Sequence, residues 1–189
     1  MSFLKNLFGR SDPPKANLDN LFALASAAVT LEAETGIAPT GTAAVCYREV
    51  EGSAFDTTED DVNALLRGAG GPEVSRSTDG FGFTWVTFRR DPGELPELVT
   101  DVHAVNTALQ DAGFSSALLC SIVGFAADDG KPLALVYLYK SGTFYPFAPD
   151  GDQRRDNALE LQVRGVVASD LPVEPDLSKW LALWGAPGL

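Results

Sequence analysis

The period of the apolar positions changes several times along the chain, and each change marks an element. In residues 17–26, Leu18, Leu21, Phe22 and Leu24 fall on one side of a helix. The continuation AAVTLEAETG fits a helix or a strand, and Pro39 and Gly41 end regular structure. Residues 42–49 read as a strand. Thr57-Thr58 with Asp60-Asp61 has the form of a helix start and opens a helix through Leu65-Leu66 to Gly68. Residues 73–78 and 81–90 flank Asp79-Gly80, the pattern of a tight hairpin. In residues 94–112, Leu95, Leu98, Val99, Val102, Val105 and Leu109 follow helical spacing. Glu94 and Glu97 suit the positive end of that helix, and Gly113 suits the position after it.

Residues 116–125 and 132–140 are apolar on both faces and flank an Asp128-Asp129-Gly130 turn. In the second of these strands Leu133, Leu135, Tyr137 and Tyr139 share one face, and Ala134, Val136 and Leu138 the other. A strand apolar on both sides needs cover on both sides. One helical layer supplies one cover. The second must be terminal helices, another sheet or another subunit, which makes a homodimer one expected assembly. Phe144-Tyr145-Pro146-Phe147-Ala148-Pro149 reads as an edge strand or a loop, because proline interrupts ladder hydrogen bonds.

Residues 155–168 form a further helix, capped near Asp156 and striped by Leu159, Val163, Val166 and Val167. Its Glu160 and Arg164 stand at i,i+4, a pair worth about 0.3 kcal/mol. After Pro172 and Pro175, Asp176 caps a last short helix, DLSKWLALW, with Trp180 and Trp184 stacked one turn apart. The whole reads as α+β: an antiparallel sheet of about five strands packed with helices, in the order α-β-(α)-β-β-α-β-β-α. That order is similar to secretion-chaperone-like folds, an analogy that carries no function. Residues 1–15 are an amphipathic segment and Pro-rich linker, and 16–189 one α+β domain.

Composition narrows the classes. A net charge of −12 argues against nucleic acid as a partner, since its binders need Lys and Arg against phosphate. The two cysteines, Cys46 and Cys120, lie in strand-like runs and read as buried reduced thiols of a cytosolic protein. No apolar run is long enough to span a membrane, and Pro13-Pro14 comes too soon for a secretory signal.

Against this acidic background the start of the chain differs. In MSFLKNLFGR, Phe3, Leu4, Leu7 and Phe8 fall on one helical side, beside Lys5 and Arg10. Ser11-Asp12-Pro13-Pro14-Lys15 then acts as a stiff spacer. Two readings fit: a segment folded back onto the core, or a peripheral foot with its apolar side in lipid and its bases on anionic head groups.

Reactive chemistry is sparse. His103 is the single histidine and has no partner at metal-ligand spacing, so neither a metal nor any other cofactor is expected. A Cys120–His103 nucleophile pair is geometrically possible, and a surface or hydrogen-bonded helix histidine is the simpler reading. Asp128-Asp129-Gly130 is turn chemistry. Glu59-Asp60-Asp61 is a helix start. Phe144, Tyr145 and Phe147, followed by Arg154 and Arg155, form the candidate partner-binding edge; the simpler reading pairs the two arginines with Asp150, Asp152 or Asp156.

The stretches SFLKNLFGR, TDVHAVNTAL, LALVYLYKSGTFYPFAP, RRDNALELQVRG and PDLSKWLALWGAPGL run nearly end to end, and in them the chain resembles the PspAB family. The resemblance implies an accessory protein of the envelope-stress response, at work with a PspA-type coiled coil or an HtpX-type membrane protease. It implies no catalytic residues and a cytoplasmic location, to which the membrane-foot reading of residues 1–10 adds a peripheral place at the inner face of the cell membrane as one alternative.

Overall fold

The computed structural model describes residues 16–68, 70–151 and 153–189. A 3-10 turn, Leu18–Ala23, runs into helix α1, Leu24–Thr35, so the ambiguous AAVTLEAETG stretch is helical. Gly36, at φ 71°, stops it. Strand β1, Ala38–Arg48, begins earlier than its sequence suggests. Pro39 and Gly41 do not end it; the register shifts between Pro39 and Ala43, and Gly41 holds that bulge at φ 75°. Helix α2, Ser53–Leu66, also begins early. Thr57 and Thr58 do not cap it. They lie inside it, and their hydroxyls donate to the carbonyls of Ser53 and Ala54. Glu59 is therefore a mid-helix residue, buried, accepting from Tyr47 and pairing with Arg76 at 3.0 Å.

Strands β2, Glu73–Thr78, and β3, Phe83–Arg89, form the expected hairpin with a longer tip. Its turn closes through Gly82 at φ 81°, which places Phe81 in the turn and not in the strand. Helix α3, Leu95–Leu109, buries all six residues of its apolar stripe. It ends in a wide turn, Gln110–Phe114, with Gly113 left-handed. Strands β4, Leu118–Ala126, and β5, Pro132–Leu138, meet at the Asp-Asp-Gly turn. The FYPF segment is a true strand, β6, Thr143–Phe147. Helix α4, Asn157–Val167, is capped by Asp156, whose side chain accepts from the Leu159 amide.

One antiparallel sheet results, in the order β2-β3-β1-β4-β5-β6. It has six strands, and the fold is α+β. Helices α1, α2, α3 and α4 pack on one face, where Ala43, Val45, Tyr47, Val123, Phe125, Leu133, Leu135 and Tyr137 join the main core. The opposite face carries a second buried cluster: Ala44, Cys46, Trp85, Cys120, Ile122, Ala134, Val136, Tyr145 and Phe147.

That second face is covered by the end of the chain itself. Sequence periodicity predicts a helix over DLSKWLALW, but only Leu177–Lys179 forms a 3-10 turn and the rest is irregular. Trp180 and Trp184 do not stack on each other. Trp180 stacks on Tyr145 at 5.9 Å, and Trp184 meets Phe147 edge-on at 5.2 Å. This C-terminal strap first runs beside β6, where the Phe144 amide donates to Pro172 and the Glu174 amide to Phe144. Those bonds close the sheet edge that β6 would expose. The strap then crosses the face until Gly188 lies against Thr42 and Gly124.

Candidate functional site

Between the strap and the β2–β3 hairpin, a cavity of about 300 Å³ remains open to the surface. Alternation along β1, β4 and β5 sets its floor, because Cys46, Cys120 and Leu138 all point to the second face. Trp85, Phe83 and the hairpin tip form one wall, and strap residues 181–186 form the other. Tyr145 closes the side toward β6, its hydroxyl donating to the Leu181 carbonyl at 2.9 Å. Burial pushes that phenol well above its ordinary pKa, so it remains a donor.

The hairpin tip is shaped by Asp79. Its carboxylate accepts from the amides of Phe81 and Phe83, at 2.9 and 3.0 Å, and from the Trp85 indole at 3.0 Å. Desolvation would raise this carboxyl, but the hydrogen bonds from Trp85 and the loop amides outweigh it and hold it below its ordinary value. The acid is thus ionised and occupied with structure. Around the mouth, Phe81 is 85% exposed and Leu181 60%, with Trp184 at 37%. Arg48 lies over the Phe83 ring at 6.0 Å. The arrangement suits an apolar guest. Its two thiols are buried, and the neighbouring Cys120 and burial push the Cys46 thiol far up, away from the thiolate form.

The catalytic pair allowed by composition is not assembled. His103 sits in the helical layer, its ring tilted against Phe22 at 4.7 Å, with Asp19 at 3.5 Å and Thr107 at 3.4 Å. Cys120 belongs to the cluster on the opposite face of the sheet. Asp128-Asp129-Gly130 is a turn, closed by the Gly130 amide on Ala127, with Asp129 accepting from the Lys131 amide.

The aromatic-proline segment divides between the faces. Phe144 joins the helix-side core, while Tyr145 and Phe147 lie under the strap, and none of the three reaches the surface. Arg155 is tied down as well. Its Nε donates to Glu160 at 2.8 Å, its Nη1 donates to the Trp180 carbonyl, and its guanidinium lies 5.1 Å over Phe147. Glu160 is buried in this contact and also accepts from the Ala148 amide at 2.9 Å, so it does not pair with Arg164. Arg164 lies over Trp180 instead. Arg154 is exposed, 4.0 Å from Asp150. The edge that the sequence offers to a partner is thus bound by the chain's own end. Phe3, Leu4, Lys5, Leu7, Phe8 and Arg10 lie outside the described residues.

The cavity is the feature that sequence reasoning missed. It combines residues from five strands and the strap, and its only local trace is Phe81, an aromatic inside a turn. Among the described residues, no helix is long and apolar enough to cross a membrane, and no group of three or more His, Cys, Asp or Glu is placed to hold a metal. A protein-family model, PspAB, described as PspA associated protein B, matches residues 1–188. No curated protein and no solved structure matches the chain.

Proposed function

The chain belongs to the PspAB family, and on that premise we propose that it is a non-enzymatic accessory protein of an envelope-stress response that associates with a PspA-type coiled coil. The observation that carries this reading is the match over residues 1–188, which takes in the apolar-basic start as well as the folded part. Residues 1–10 serve as a reversible contact, with Phe3, Leu4, Leu7 and Phe8 as the apolar side and Lys5 and Arg10 as the bases. An HtpX-type membrane protease is the second partner of this reading, and the inner face of the cell membrane its location. The separation of His103 from Cys120 across the sheet supports a binding role over a hydrolytic one.

The test compares the full chain with a version starting at Lys15. Each is measured for capture of a purified PspA-type protein and for co-sedimentation with anionic vesicles. The full chain should bind about tenfold or more tightly. Equal, negligible binding by both versions would remove the proposal.

A second reading, a peptide-binding module of chaperone type, is favoured by the apolar cavity and the exposed Phe81 and Leu181 at its mouth. Under that reading, Phe81→Glu weakens capture of apolar peptides and leaves vesicle binding unchanged.

A further inference from the structure

We propose that the cavity between the strap and the hairpin is the docking site for the chain's own N-terminal segment, whose Phe3, Leu4, Leu7 or Phe8 enters it. The inference rests on the reading of residues 1–10 as the contact element, and adds where that element is held when no partner takes it.

Position comes first. The described fold starts at Ala16, beside the loop that follows β5. Tyr137 donates to the Asn17 carbonyl at 2.9 Å, and the Asn20 side chain donates to the Gly142 carbonyl at 2.8 Å. Leu138, the last residue of β5, lines the cavity on the other face of the same strand end. The chain therefore enters the fold at the end of the sheet where the cavity opens.

Reach comes second. Residues 11–15 hold Pro13-Pro14, which favours an extended chain of about 3.1 Å per residue, or roughly 15 Å in all. A sheet and the layer packed on it lie about 10 Å apart, so the path from Asn17 on the helical side around the strand ends to the cavity is of that order or somewhat longer. The spacer is long enough to round the strand ends and too short to carry residues 1–10 far beyond them.

Chemistry comes third. At about 300 Å³ the cavity is at the small end for ligand sites and admits an aromatic or leucine side chain rather than a folded element. Among the described residues its lining holds one ionised acid, Asp79, and no lysine or arginine. The four apolar side chains match the lining, and Lys5 or Arg10 matches the acid. Exposed Phe81 and Leu181 flank the mouth and would be covered by the same segment.

Docking also limits the contact element: a side chain in the cavity is withheld from lipid or a partner, so the two states compete. The experiment introduces p-benzoylphenylalanine at Phe3 and, separately, at Phe8 in the full chain, irradiates it and maps the products by mass spectrometry. Products on Phe81, Phe83 or residues 181–186 are expected. Their yield should fall about tenfold with Phe81→Glu or Leu181→Glu, substitutions at exposed positions that leave the fold intact. Products confined to the helical layer, or no products from a folded chain, would overturn the proposal. Mixed isotopically heavy and light chains separate the sources, and heavy-to-light products would show that a second copy supplies the segment. Anionic vesicles should lower the cavity yield, and an unchanged yield with vesicles bound would overturn the competition. No PspA-type partner is present, so failure here is distinct from failure of the proposed association.

Discussion

Cys46 and Cys120 face each other across β1 and β4 on the floor of the cavity. The neighbouring Cys120 and burial push the Cys46 thiol far up. A thiol in that state reacts only when the fold opens. Cys46 modification by an aromatic disulfide reagent at mildly alkaline pH should therefore be about a hundredfold slower in the native chain than in denaturant. Comparable rates would show that the cavity floor is open to solvent. Burial of both cysteines was legible, because each lies in an apolar run. The pairing was not, since the register of β1 against β4 depends on the bulge at Gly41. Arg155 and Glu160 show the same limit. The sequence offered nearby aspartates and an i,i+4 arginine as partners, but burial beside Ala148 and Trp180 selected one contact between these two residues.

Elements were legible where one contact surface sets the pattern. Helix α3 packs one stripe on one sheet, so its spacing alone defines it, and β4 and β5 are defined by their uninterrupted apolar runs. The failures share a cause: tertiary contacts outweigh local preference. Trp180 and Trp184 have helical spacing, yet an irregular strap lets the Trp180 indole donate to the Glu174 carbonyl at 3.0 Å and lets both rings reach β6. β1 continues through Pro39 and Gly41 because the bulge uses the one residue type at ease with φ 75°. Gly41→Ala should expose that dependence. Its Cβ would lie 2.2 Å from the Arg90 carbonyl oxygen, so backbone must shift on top of the left-handed strain. A loss on the order of 3 kcal/mol in chemical denaturation is expected, and a loss under about 0.5 kcal/mol would mean the bulge adapts freely.

At the scale of the molecule, the two-sided apolar pattern of β4 and β5 correctly demanded two covers. It could not say that the second would come from the same chain. That cover explains how the sheet avoids exposing Tyr145, Phe147, Val136 and Trp85. A chain ending at Asp176 should expose them as one patch, and such patches drive association. Light scattering should find oligomers or aggregates of the shortened chain at concentrations where the full chain is monodisperse. A monodisperse shortened chain of unchanged denaturation midpoint would show that the strap contributes little.

The strap also has a position in time. A ribosome releases the chain from its N-terminus at about 5–20 residues per second, so all six strands are made before residues 177–189. Helices α1, α2 and α3 precede β6 as well, and the first core can assemble while the last segment is still in the exit tunnel. For an interval of seconds the sheet has one side already covered by α1, α2 and α3 and one bare apolar side, with no cover of its own chain available. Whatever attends the nascent protein during that interval meets a surface that the mature molecule no longer presents.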